Sequence, residues 1–127
     1  MAIEQAVPVL VVDDYQTVVQ IIRNLLKQAG FADVDEATDG EEALAKMKQR
    51  KYGLVISDWH MAPTSGAQLL EKAKADPELR DTQFIMVSAE ASPENVAAAK
   101  KAGAAAYVVK PFDAMTLRSR IDAVLGK

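Results

Sequence analysis

The sequence contains no cysteine. It therefore has no disulfide framework and no thiolate metal site. A single histidine, His60, occurs in 127 residues, so no group of imidazoles is available to hold a metal. Charge of neither sign dominates. The 15 basic and 18 acidic residues leave a formal charge of −3 and are interleaved along the chain, without the basic face or run of a nucleic-acid binder. No apolar run approaches the length of a membrane span. Met1 to Gln5 carries Glu4 and lacks the basic segment and apolar stretch of a signal peptide. With 6 glycines and 5 prolines, the chain has no linker, low-complexity tract or fixed-period repeat. These absences leave a soluble cytoplasmic domain as the expectation, with no nucleic-acid or membrane partner.

What is present is a strict alternation. Half of the residues are hydrophobic, enough for one domain with a real core. Val9 to Val12, Leu54 to Ile56, Phe84 to Val87 and Tyr107 to Val109 are short continuous apolar runs. A weaker run around Val34 takes its assignment from its neighbours. Between the runs, apolar residues recur at helical spacing, as in Tyr15, Val18, Ile22, Leu25 and Ala29, then Leu69, Leu70 and Ala73, and finally Leu117, Ile121, Val124 and Leu125. Helix signals bound these stretches: Gly30 and Gly103 as stops, acidic residues at Asp39-Gly40-Glu41-Glu42, Ser92-Pro93 as a cap followed by proline, and Asp113 as the last cap. The pattern predicts five βα units and a parallel five-stranded sheet covered on both faces, a three-layer α/β sandwich. Residues 1–127 read as a single domain, with nothing following the fifth helix.

The chemistry lies where the apolar runs stop. The first ends at Asp13-Asp14, the third strand in chain order at Asp58, the fourth at Ser88 and the fifth at Lys110. Ligands of open parallel sheets bind at those strand ends. Three carboxylates, a hydroxyl and an ammonium therefore converge on one small site. Such carboxylates repel one another unless a proton or a cation intervenes. A hard divalent ion such as Mg2+, which takes oxygen ligands, meets that need. Asp58 is then a candidate nucleophile toward a phosphoryl group, with Lys110 as a second cation and Ser88 as a hydrogen-bond donor.

These residues carry a resemblance. Val11-Val12-Asp13-Asp14, Val55-Ile56-Ser57-Asp58-Trp59, Val87-Ser88-Ala89-Glu90 and Tyr107-Val108-Val109-Lys110-Pro111-Phe112, in this order and at these separations, resemble the receiver domains of response regulators over essentially the whole chain. The resemblance implies a flavodoxin-like (βα)5 fold with strand order 2-1-3-4-5. It also implies roles. Asp58 is the phosphoacceptor. Asp13, Asp14, Asp58 and the backbone carbonyl of His60 hold Mg2+. Lys110 pairs with the acids and then the phosphoryl group. Ser88 and Tyr107 form the switch, and His60 and Glu90 tune the phosphoryl lifetime. Two departures stand out. Ala62 followed by Pro63 replaces the usual proline position, and His60 stands where chemotaxis members have asparagine. The peptide before Pro111 is often cis in the family.

The implied partners are a histidine kinase as phosphodonor and a separate protein on the face of the fourth helix, fifth strand and fifth helix, in chemotaxis the flagellar motor switch; the resemblance also implies a monomer. Lys100, Lys101, Arg118 and Arg120 fall on or near that face. The implied role is a signalling protein that catalyses only its own phosphorylation and dephosphorylation. A phosphorelay intermediate, a phosphate sink or an adaptor outside chemotaxis is the alternative. Trp59 reads as an exposed or half-exposed loop aromatic. A flavin carrier of the same fold would need a Ser-, Thr- and Gly-rich loop where Asp13-Asp14-Tyr15-Gln16 stands. A metal-dependent phosphatase with an aspartyl nucleophile would need Asp-x-Asp and a cap domain.

Overall fold

The computed structural model describes residues 7–59, 65–89, 92–110 and 112–125. His60, the Ala62-Pro63 departure, Glu90 and the Lys110-Pro111 peptide bond involve residues outside these ranges. The chain runs β1 (Val9–Val12), α1 (Gln16–Gln28), β2 (Val34–Ala37), α2 (Gly40–Gln49), β3 (Leu54–Asp58), α3 (Gly66–Ala75), β4 (Gln83–Ser88), α4 (Pro93–Ala102), β5 (Ala106–Val109) and α5 (Ala114–Leu125). All strand pairings are parallel, in the order β2-β1-β3-β4-β5.

The central strands are buried on both faces, which is why they read as unbroken apolar runs rather than alternating ones. Val9, Val11, Leu54, Ile56, Ile85 and Val87 pack with Val19, Ile22 and Leu26 of α1 and with Leu117 and Ile121 of α5. Leu10, Val12, Val55, Phe84 and Met86 point to the opposite face, against Ala43 and Met47 of α2, Leu69, Leu70 and Ala73 of α3, and Ala99 of α4. Two helices thus cover one face and three the other.

Local chemistry sets the helix ends. Asp39 accepts from the Glu42 N–H at 2.9 Å, Ser92 from Asn95 at 3.1 Å and Asp113 from Thr116 at 2.8 Å. Gly103 closes α4 with φ 110°, a left-handed conformation open to glycine at little cost. At α3, Ser65 and Gln68 form a reciprocal capping box, each side chain bonding the other's backbone N–H. Tyr15 departs from its place in the helical stripe. It is the residue before α1 and is 71% exposed, because the inward-facing period begins only with the first full turn.

The weak second run is an edge strand. The half-buried acids in and just before it are occupied: Tyr52 donates to Asp35 at 2.5 Å, Arg50 bonds Asp35 at 3.0 Å and also pairs with Asp33, and Arg23 pairs with Glu36. The Tyr52 hydroxyl, aided by Arg50, holds the Asp35 carboxyl below its usual range. Charged side chains of this kind also discourage pairing with another chain at the open edge.

Ile85 is fully buried on a central strand and Met115 is 81% exposed on α5. Ile85→Ala should lose about 2–5 kcal/mol of unfolding free energy in urea titrations. Met115→Ala should stay within about 0.5 kcal/mol of wild type. Similar losses for both would contradict the assigned core.

Candidate functional site

The parallel sheet brings four strand ends to one edge. Asp13 follows β1 and is 2% exposed, Asp58 is the last residue of β3, Ser88 is the last of β4, and Lys110 follows β5. Asp14, next to Asp13, faces solvent. Register aligns these ends: Ser57 lies beside Val12, Asp58 beside Val87, and Ser88 beside Val109. Residues separated by tens of positions in sequence thereby become neighbours.

Lys110 ties the group together. Its ammonium lies 3.2 Å from Asp13 Oδ2 and 3.3 Å from Asp58 Oδ1. Its backbone N–H donates to the Ser88 carbonyl at 2.8 Å, so the β5 end is held against the β4 end. Asp13 has a second task. Its Oδ1 accepts the Tyr15 N–H at 2.9 Å and turns the chain into α1. Asp13 therefore shapes the turn before α1 and belongs to the acidic cluster at once.

One carboxylate oxygen from each of Asp13, Asp14 and Asp58 lies within 4.8 Å of the others. Three acids face one ammonium, so full ionisation leaves an excess of negative charge. Burial raises the proton affinity of Asp58; Lys110 opposes the shift, while Asp13 and Asp14 add to it. The donor set consists of hard carboxylate oxygens, with neither sulfur nor imidazole among the three. It fits a hard divalent ion such as Mg2+ and not a soft one. Such an ion would also relieve the repulsion that favours the proton.

The start of α3 presses on this site. The Gly66 N–H donates to the Trp59 carbonyl at 3.1 Å. A Cβ on Gly66 would stand 2.1 Å from the Asp58 carbonyl oxygen and 2.9 Å from the Trp59 Cα. Only glycine fits that approach. Sequence reading passed over Gly66, although a glycine in a first helical turn, where most residues serve better, signals close contact.

Trp59 corrects an expectation. It is 7% exposed and belongs to the core beneath α2, α3 and α4. Its N–H donates to the Val87 carbonyl at 2.8 Å. Its ring meets the half-buried Tyr107 ring edge-to-face, with centroids 6.3 Å apart and planes at 64°. Of the residues singled out from sequence, Asp13, Asp14, Asp58 and Lys110 share one cluster. Ser88 is buried at the adjoining strand end. Tyr107 lies three residues before Lys110. Lys100, Lys101, Arg118 and Arg120 are all exposed on α4 and α5.

The Asp58 shift has a consequence for stability. Its folded proton affinity exceeds the unfolded one, so the native state binds more protons between the unfolded pKa of 3.8 and the higher folded value. Stability should fall as pH rises through that window and stay lower above it. In chelator at neutral pH, Asp58→Asn should raise the Tm. The gain should vanish below the unfolded carboxylate pKa, as thermal melts across pH will check. Added Mg2+ should stabilise wild type more than Asp58→Asn.

Residues 9–122 match the family described as the response regulator receiver domain. Over 119 residues the chain is 39% identical to chemotaxis protein CheY-3 of Vibrio cholerae serotype O1, covering 94% of this chain and 92% of that one. It is 38% identical to chemotaxis protein CheY of Pseudomonas aeruginosa, covering 94% and 96%. The structure of the chemotaxis response regulator CheY4 of Vibrio cholerae superposes with a TM-score of 0.85 at 33% identity, covering 93% of this chain and 98% of that one. The chain belongs to the response regulator receiver domain family and is CheY-like.

Proposed function

We propose that this protein is a phosphorylation-activated switch of a two-component system, with residues 1–127 acting as one receiver domain and Asp58 as the phosphoacceptor. One observation carries the reading: Asp58 sits at a buried strand end with Lys110 at 3.3 Å and two further carboxylates alongside. A structural ion pair needs one acid for one lysine. Three acids around one lysine are costly as structure and useful as a site for a metal and a phosphoryl group.

Asp13, Asp14 and Asp58, with the His60 backbone carbonyl, would hold Mg2+. Bound there, Mg2+ supplies positive charge that neutralises the acids and the transferred phosphoryl oxygens. An Asp58 carboxylate oxygen attacks phosphorus in the phosphohistidine of a histidine kinase. The new O–P bond forms as the P–N bond breaks, and the imidazole leaves with the bonding pair and takes up a proton. Lys110, already between Asp13 and Asp58, follows the new charge. The protein turns over no external substrate beyond forming and hydrolysing its own acyl phosphate. His60 and Glu90, flanking the site in sequence, would tune how long that phosphate lasts.

The phosphoryl group adds about −1.5 to −2 charge and three strong acceptor oxygens. Ser88 would donate to one of them. Movement of the β4 end acts directly on β5, because Lys110 is bonded to the Ser88 carbonyl. Tyr107 on β5 then changes rotamer, and the face of α4, β5 and α5 changes with it. That face exposes Val109 and Met115 among Lys100, Lys101, Arg118 and Arg120, which suits a protein partner with apolar and acidic groups. The relatives are named as chemotaxis proteins, and the flagellar motor switch is the partner that the family resemblance implies for that setting. A relay, sink or adaptor role uses the same site with another partner.

The first test is an intact mass after incubation with Mg2+ and a small acyl-phosphate donor. Wild type should gain one phosphoryl group, and Asp58→Ala should gain none, as should wild type in chelator. An adduct of equal yield in Asp58→Ala would overturn the assignment of the acceptor.

A further inference from the structure

Trp59 lies beside the acceptor in sequence, in the core by burial, and against Tyr107 by contact. Resting on the switch reading above, we propose that Trp59 is a positioning residue whose ring sets the balance between the two rotamers of Tyr107.

Three constraints on Trp59 support this. Its N–H is held by the Val87 carbonyl on β4 at 2.8 Å, one residue before Ser88. Its carbonyl is held by the Gly66 N–H at the start of α3 at 3.1 Å. Gly66 leaves no space for even a methyl group between α3 and the Asp58-Trp59 peptide. The backbone of Trp59 is thus tied to β4 and to α3, and its ring is enclosed in a close-packed core. Interiors of this density do not slide to follow a neighbour.

Tyr107 stands on β5, an edge strand, and is half-buried. The 6.3 Å separation and 64° interplanar angle fall within the range where edge-to-face aromatic pairs attract. A step of about 120° between staggered χ1 wells carries a tyrosine ring by several ångström. Because Trp59 cannot follow, the ring contact is kept in one well and lost in the other. A contact made in only one of two states shifts their ratio by its own free energy. For an aromatic pair that shift is about 2- to 10-fold. The same anchoring places Trp59 one residue from Asp58 and one hydrogen bond from β4. It therefore joins the proposed acceptor to the proposed switch by a second route besides Ser88.

The test reads the χ1 populations of Tyr107 from three-bond couplings in labelled protein, in chelator, for wild type, Trp59→Phe and Trp59→Leu. Trp59→Leu should change the rotamer ratio about 2- to 10-fold. Trp59→Phe, which keeps an aromatic edge, should restore part of the wild-type ratio. Should Trp59→Leu fail to fold, Trp59→Phe must still show a change in the same direction. An unchanged ratio in the folded variants overturns the inference. Adding Mg2+ and beryllofluoride to wild type tests the switch reading separately. If Tyr107 does not respond there, that reading fails, and the couplings in chelator still decide whether Trp59 sets the ratio.

Discussion

Lys110 reaches Asp13 and Asp58 at 3.2 and 3.3 Å from the end of β5, and much of the molecule serves to keep those strand ends that close. The acid oxygens of Asp13, Asp14 and Asp58, within 4.8 Å of one another, push apart, and burial of Asp58 makes its negative charge costlier still. The opposing force is the apolar sheet. Leu10, Val11, Ile56, Ile85 and Val87 are fully buried, and each large side chain contributes about 1.5–3 kcal/mol on burial. A core of that strength can hold a cluster of acids that would not assemble alone. The local cost is concentrated where a bound cation would relieve it.

The sheet also grades how tightly each strand is enclosed. β3, which carries Asp58, has neighbours on both sides and is covered on both faces. β5, which carries Tyr107, has one neighbour and exposes Val109. On the proposed reading, charge arrives at the enclosed strand and shape changes at the edge strand. Besides the Lys110 ammonium at Asp58, two contacts bear on the gap: the Lys110 N–H to the Ser88 carbonyl, and the Trp59 ring against the Tyr107 ring. The first follows backbone hydrogen bonding and the second follows packing. Each can be weakened without removing a member of the acidic cluster.

The fold and the cluster were legible because they depend on pattern. Continuous apolar runs identify buried parallel strands, and Asp13, Asp58, Ser88 and Lys110 each stand where such a run stops. The strand order came from resemblance, since runs alone do not say which strands pair. β2 was faint because an edge strand tolerates acids, and Asp35 and Glu36 gain their stability from Tyr52, Arg50 and Arg23, far along the chain. Trp59 was misplaced for a related reason. A tryptophan after a strand end resembles a loop residue until α3 folds back over it, and that return depends on Gly66 having no side chain. Tyr15 shows the converse. Helical spacing placed it inside, while its position before the first turn puts it in solvent.

The most direct test of the central claim, that charge at Asp58 is read out on the face of α4, β5 and α5, is a map of backbone amide shifts with and without Mg2+ and beryllofluoride. The account predicts changes that start at Asp58 and Ser88, extend through Tyr107 and Val109, and reach α4 and α5, all absent in Asp58→Ala. Changes confined to the immediate neighbours of Asp58, with β5 and α4 unmoved, would contradict it.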